Sequence, residues 1–181
     1  MSEMGKLGAK LLVIALAAGL ALGVTNAVTK EPIALEQIAA AETARKTVLP
    51  SAAAFEPASA DGAETAFVAK DASGKVVGAT GTLTVTGFGG PIEITVGLDT
   101  AGVITGVSVG GAGFAETAGL GAKTKDAAFT SQFNGKDATV ALKKNGGDID
   151  AVTSATISSG AVTNGVAALT KAIAPLAKEG K

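Results

Sequence analysis

The sequence predicts an α+β protein, with an N-terminal transmembrane helix and helical stalk followed by an antiparallel-sheet domain that ends in a C-terminal helix. Three observations carry this reading. Residues Leu11 to Thr29 form a nineteen-residue run without a formal charge. Two pairs of β-rich segments each flank an Asp-x-x-Gly turn, at Asp71–Gly74 and Asp99–Gly102. Near the C-terminus, Val162, Val166, Leu169, Ile173 and Leu176 recur at spacings of 4, 3, 4 and 3. Hairpins followed by helices, rather than alternating β and α units, define the α+β class.

In chain order, the first element is the apolar run. At 1.5 Å per residue it just crosses a hydrocarbon core of about 30 Å, and Gly19 and Gly23 give it a small-xxx-small face. Lys6 and Lys10 precede the run, whereas Lys30 is followed at once by Glu31. The positive-inside bias therefore places the N-terminus in the cytoplasm and the rest of the chain outside. A cleaved secretory signal shares the basic start and apolar core. Thr25-Asn26-Ala27 is a poor small-x-small cleavage site and the run exceeds a usual signal core, which favours a retained anchor over residues 1–30.

Residues 31–62 read as a helical stalk and linker. Pro32 suits the first turn of a helix. The Ala-rich stretch after it carries Glu early and Arg45-Lys46 late, as the helix dipole prefers, until Pro50 stops it. Residues 51–63 are rich in turn formers. From there to residue 181 lies the folded domain. Its hairpins use Asp to bond the turn backbone and Gly to supply positive φ. Asp126 to Phe133 reads as a short helix with Phe129 and Phe133 on one face. The five-residue apolar stripe marks a final helix over Ser158–Lys178, whose last turn Pro175 would kink or end.

Composition excludes much chemistry. The chain has no Cys, His, Trp or Tyr, and only six Phe. It can form neither a disulfide nor a thiolate nucleophile, nor can it ligate an iron–sulfur cluster. It lacks the imidazole of a Ser–His–Asp triad and of ordinary zinc and haem sites. A net charge of −1 without a basic run argues against nucleic acid. Redox or group-transfer chemistry must therefore come from a cofactor, and neither a catalytic side chain nor a metal is expected.

The informative passage is DAVTSATISS, Asp150 to Ser159, where hydroxyl side chains crowd the start of the final helix. The first amides of a helix lack internal partners, so such a terminus seats a phosphate readily. The plainer alternative is an ordinary Ser N-cap. Gly110-Gly111-Ala112-Gly113 has neither GxGxxG spacing nor a following βαβ unit and reads as a flexible bend. Asp148 and Asp150 read as solvated carboxylates.

DAVTSATISS resembles the flavin-attachment motif Asp-x-x-Ser/Thr-Gly/Ser-Ala-Thr of the FMN-binding domains. More widely the chain resembles the G subunits of Rnf-type complexes, ferredoxin–NAD oxidoreductases that move ions across a membrane. The anchor running into TKEPI, the segment GGPIEITVGLDTAGVITGVSV followed by ETAGLGAK, and DAVTSATISS carry the likeness, and together they span nearly the whole chain.

The resemblance implies that residues 63–181 form an FMN-binding domain. It implies that Thr156 bears FMN through a phosphoester installed by a separate flavin transferase with FAD as donor and a divalent metal. Asp150, Thr153, Ser154 and Ala155 complete the motif, Ser154 standing where many relatives have Gly. Asp150 is then either a recognition element for the transferase or the side chain of an Asx turn. Glu116, Thr117, Gly119, Leu120, Gly121 and Lys123 are implied to line the flavin, with Ala118 where relatives carry Pro, and Ile157 and Ser158 follow the attachment point. Lys123 would meet a phosphate or the electron-rich end of the ring, although taken alone it reads as a solvated charge.

The implied protein is an electron-relaying membrane subunit with no stand-alone turnover. Its partners would be the other membrane and peripheral Rnf subunits and the transferase. It would sit as a single-pass protein in the cell (inner) membrane with its C-terminal domain outside the cytoplasm. Alternatives are the related C-type component of a sodium-pumping NADH–quinone reductase, a free-standing anchored FMN carrier, or a cofactor-free exported binding or envelope module.

Overall fold

The computed structural model describes residues 3–178. They divide into two units that part between Ala40 and Ala41. Helix α1 runs unbroken from Glu3 to Val48 and is long and apolar enough to cross a membrane. Its Thr25 and Thr29 hydroxyls donate to the carbonyls of Ala21 and Thr25, each at 2.9 Å, which satisfies these polar groups within the helix as lipid requires.

Pro32 lies inside α1, so the expected separate stalk helix is corrected to one continuous helix. An interior Pro removes one backbone bond and costs about 3 kcal/mol. The Ala- and Leu-rich flanks on both sides propagate the helix through it.

The second unit is a five-stranded sheet in the order β1-β2-β3-β4-β5, antiparallel throughout. Its strands are β1 (Ala54–Ala58), β2 (Thr65–Lys70), β3 (Val76–Thr86), β4 (Pro91–Asp99) and β5 (Ile104–Gly110). Strand β1 falls in the stretch that the sequence assigns to linker. It is an edge strand, where the missing N–H of Pro57 is tolerated, and its pairing with β2 supplies what local propensity does not.

After β5 come the short helix α2 (Ala127–Thr130), a following 3-10 turn Ser131–Phe133, and α3 (Thr156–Lys178). Phe129 and Phe133 are buried with ring centroids 5.5 Å apart, edge to face.

Helix α3 lies across one face of the sheet, and its five predicted stripe residues are all buried against Ile92, Ile94, Val96 and Leu98. Two glycines let it sit close. A methyl at Gly81 of β3 would fall 2.7 Å from Ile173, and one at Gly165 of α3 would fall 2.6 Å from Ile94. Helix α3 passes through Pro175 to Lys178, because Leu176 and Ala177 beyond the proline are buried and anchor the last turn.

The Asp-x-x-Gly turns form as the residues dictate. The Asp71 carboxylate accepts the amides of Ser73 and Lys75 at 2.8 and 3.0 Å. Asp99 does the same for Ala101 and Val103, and Gly74 and Gly102 take φ of 82° and 85°. The Ser73 hydroxyl, followed by the Lys75 amide, holds the Asp71 carboxyl below the ordinary carboxylate range, and the hydroxyl and amide of Thr139 do so for Asp137. A depressed folded pKa contributes stability above the unfolded value and loses it as pH falls through the folded value. Acid titration followed by NMR is therefore expected to show both carboxyls protonating below the ordinary carboxylate range. Thr139→Val should raise Asp137 toward the ordinary range, the Thr139 amide bond remaining; an unchanged Asp137 midpoint would contradict the hydroxyl's role.

Candidate functional site

Three segments converge at the N-terminus of α3. They are the β3–β4 hairpin tip (Gly87–Gly90), the loop after β5 (Gly111–Leu120), and the loop Asp150–Ala155 that enters α3. Between them lies a cleft of about 390 Å³ lined by Phe88, Glu116, Thr117, Leu120, Gly121 and the run Ser154 to Ser158.

The loop after β5 turns at Gly111 and Gly119, with φ of 92° and 78°. The Thr117 carbonyl accepts the amides of Leu120 and Ala122, each at 3.1 Å, which closes the second turn and aims Leu120 at the cleft. A 3-10 turn Gly121–Lys125 follows. The Glu116 carboxylate is wedged between Gly87 and Gly121, where a Cβ on either would overlap it, and it accepts the Gly89 amide at 3.0 Å. Glycine at 87 and 121 is thus what gives the carboxylate room.

The hydroxyls of the attachment motif do not cap α3 in the ordinary way, because the residue before its first turn is Ala155. The Ser159 hydroxyl instead accepts the Val152 amide at 3.0 Å, and the buried Ser158 hydroxyl faces the Phe88 amide at 3.4 Å. These bonds tie the entering loop and the hairpin tip to the helix. The amides of Thr156, Ile157 and Ser158 have no acceptor among the described residues, which leaves the helix terminus free for an anion.

Ser154 is the one non-glycine residue with positive φ among the described residues, at 62°. That conformation costs an L-residue roughly 1–2 kcal/mol. It gives a physical reason why the motif accepts Gly at this position. Ser154→Gly is expected to stabilise the domain by up to about 1 kcal/mol, net of the extra chain entropy of Gly; thermal unfolding showing a loss of stability would contradict this.

Among the residues singled out from sequence, the cleft brings together Glu116, Thr117, Leu120, Gly121, Ser154, Ala155, Thr156, Ile157 and Ser158. Asp150, Thr153, Gly119 and Lys123 do not line it. Gly119 serves the turn, and Thr153 and Lys123 are exposed. Asp150 neither makes an Asx turn nor stands free. Its carboxylate pairs with Lys143 at 2.7 Å, and Asp148 pairs with Lys136 at 3.2 Å, so the two read as solvated from sequence are each ion-paired at the surface.

Phe88 was not legible as a site residue. The only signal was a lone aromatic between glycines in Gly87-Phe88-Gly89-Gly90. Outside α1, the large hydrophobic side chains exposed among the described residues are Phe88 at 74%, Ile157 at 61% and Leu120 at 42%, and all three line this one cleft. Exposed apolar side chains that gather in this way mark a ligand or partner site. Apolar walls around a free helix N-terminus suit a ligand with a flat apolar body and an anionic end. The residues present therefore fit FMN.

Residues 87–171 match the profile of the FMN-binding domain family. The chain is 35% identical over 184 aligned positions to the G subunit of the Na(+)-translocating ferredoxin:NAD(+) oxidoreductase complex of Acetobacterium woodii, covering 89% of this chain and 87% of that one. It is 35% identical over 171 positions to the G subunit of the ion-translocating oxidoreductase complex of Methanosarcina acetivorans, covering 90% of each. A solved structure that it resembles is the C-type component of the Na(+)-translocating NADH-quinone reductase of Parabacteroides distasonis, with a TM-score of 0.48 and 25% identity over 63% of this chain and 61% of that one.

Proposed function

We propose a function that starts from kinship: the chain belongs to the G subunits of Rnf-type ion-translocating oxidoreductase complexes. Within such a complex it is a membrane-anchored flavoprotein that relays electrons between partner subunits through FMN carried on Thr156, and it turns over only as part of the assembly. The observation that carries this reading is the meeting of Phe88, Leu120 and Ile157 around the helix terminus that bears Thr156.

FMN supplies the electron-accepting and electron-donating chemistry that this chain's side chains lack. The protein's part is to bind, orient and shield. Phe88, Leu120 and Ile157 offer apolar walls. The Glu116 carboxylate, held by the Gly89 amide, and Thr117 offer polar contacts at the edge. The free amides of Thr156, Ile157 and Ser158 would hold the phosphate.

Attachment is the work of a flavin transferase, because a Thr hydroxyl is a weak nucleophile and the chain has no His to activate it. In that transfer Thr156 would supply the hydroxyl oxygen, its P–O bond to the FMN phosphate replacing the pyrophosphate bond of FAD, with AMP as the leaving group and the hydroxyl proton passing to the transferase.

The charge balance around the span, with Lys6 and Lys10 before it, supports a domain on the extracytoplasmic side. A reporter fused after Lys30 tests this; reporter activity confined to the cytoplasm would refute it. The cofactor is tested by producing the full chain with a flavin transferase and imaging a denaturing gel under ultraviolet light. A fluorescent band with the added mass of FMN is expected, whereas a dark band despite active transferase would favour a cofactor-free exported module.

A further inference from the structure

We propose that Gln132 is a positioning residue for flavin attachment, acting by holding the backbone of Asp150 so that the loop leading to Thr156 is presented to the transferase in one conformation. This rests on the attachment reading above. Gln132 lies eighteen residues before Asp150. Its side-chain amide bonds both backbone groups of that residue, as a neighbouring strand would. Oε1 accepts the Asp150 amide at 2.7 Å, and Nε2 donates to the Asp150 carbonyl at 3.3 Å. Gln132 is itself fixed, since it sits in the turn Ser131–Phe133 next in sequence to the buried Phe133, and Nε2 also reaches the Ala128 carbonyl at 3.4 Å.

Within this loop, the clasp is what holds the backbone of Asp150 itself. Upstream, Ile149 is bonded to Ala141 and Lys143 through backbone groups at 3.1 and 2.9 Å. Downstream, the loop has the Val152 amide on Ser159 at 3.0 Å and the Ala155 amide on the Val152 carbonyl at 3.0 Å. The Lys143–Asp150 ion pair leaves both side chains more than half exposed, and such pairs are screened and weak. The Asp150 carboxylate is thus free to exchange Lys143 for a group on another protein, while Gln132 keeps its backbone in place. Without Gln132, ordering of the loop is deferred to the encounter with the transferase, and the competent fraction of chains falls. The chemical step itself is unaltered.

A lower competent fraction raises KM and leaves kcat at saturation intact. The test uses the full chain in detergent with flavin transferase, FAD and magnesium, and follows gel fluorescence against substrate concentration for wild type, Gln132→Ala, Gln132→Glu, Asp150→Ala and the Gln132→Ala/Asp150→Ala double variant. Gln132→Ala is expected to raise KM about tenfold, the worth of one to two lost hydrogen bonds, with kcat nearly unchanged. Gln132→Glu should fall between, since its carboxylate still accepts the Asp150 amide but cannot donate to the carbonyl. In the Asp150→Ala background, Gln132→Ala should keep its effect on KM, because the backbone groups that Gln132 bonds are left in place by that substitution. An unchanged KM in Gln132→Ala, or an effect of Gln132→Ala that disappears in the Asp150→Ala background, would overturn the proposal. If circular dichroism shows Gln132→Ala unfolded at the assay temperature, Gln132→Glu decides, and a wild-type KM in it overturns the proposal. A wild-type chain that stays dark refutes the attachment reading instead, whatever Gln132 does.

Discussion

Thr156→Val is expected to abolish covalent flavin while leaving the melting temperature of the cofactor-free protein almost unchanged. The substitution keeps the β-branched shape and replaces only the hydroxyl, by a methyl group. That hydroxyl is exposed at the first position of α3 and has no hydrogen bond to any described residue, so its loss falls within the roughly ±0.5 kcal/mol of ordinary surface changes. The neighbouring hydroxyls behave differently. Ser159 holds the Val152 amide and Ser158 is buried beneath Phe88, so removing either disturbs the loops themselves. The measurement is intact mass and gel fluorescence after production with a flavin transferase, with Thr156→Ser as the variant that keeps a hydroxyl. An FMN-sized adduct persisting in Thr156→Val would move the attachment to another hydroxyl and defeat the assignment. Attachment at Thr156 would also place a negative phosphodiester beside three amides that lack acceptors among the described residues. The flavinylated wild type should therefore melt above the unmodified protein by the equivalent of about 0.3–1 kcal/mol, a difference that high salt reduces.

What the residues alone disclosed was local. The stripe Val162–Val166–Leu169–Ile173–Leu176 gave α3 and its buried face because a 3.6-residue period needs no partner to be seen. The two Asp-x-x-Gly turns were legible because each Asp bonds its own backbone two and four residues on. The features that escaped depend on distant chain. Strand β1 exists through pairing with β2, and α1 continues through Pro32 because flanking residues outweigh one missing bond. Phe88 reaches the cleft only when the hairpin tip is pinned to Ser158, seventy residues later. Asp150 is set by Gln132 and Lys143, which no local rule connects to it. The likeness to a flavin-attachment motif named Thr156, yet the walls around it come from three separate segments.

Gly97→Ala should strongly destabilise the sheet, at a cost of about 3 kcal/mol. Gly97 of β4 and Gly106 of β5 face each other across the ladder. On their open side lies the end of α1, where Val48 and Leu49 are each 1% exposed. A Cβ at Gly97 would overlap the Val48 carbonyl and come within 2.8 Å of the Thr105 hydroxyl, and one at Gly106 would lie 2.9 Å from the Val48 Cα. The obstruction is largely backbone, which cannot swing aside as a side-chain end does. Relief requires the end of α1 to lift, which strains packing at about 1–3 kcal/mol. It also breaks the 2.6 Å bond from the Thr105 hydroxyl to the Val48 carbonyl, worth about 1 kcal/mol. For a unit of this size the melting temperature should fall by roughly 10 °C. Gly160→Ala in α3 is the contrasting case. Its new methyl meets only Leu142, at an ordinary 3.8 Å, and replacing an interior helical Gly stabilises by up to about 1 kcal/mol. Thermal unfolding that showed both substitutions moving stability in the same direction would mean that the glycine pair does not seat α1. With opposite signs, the two glycines of β4 and β5 are what let the end of α1 close over this face of the sheet.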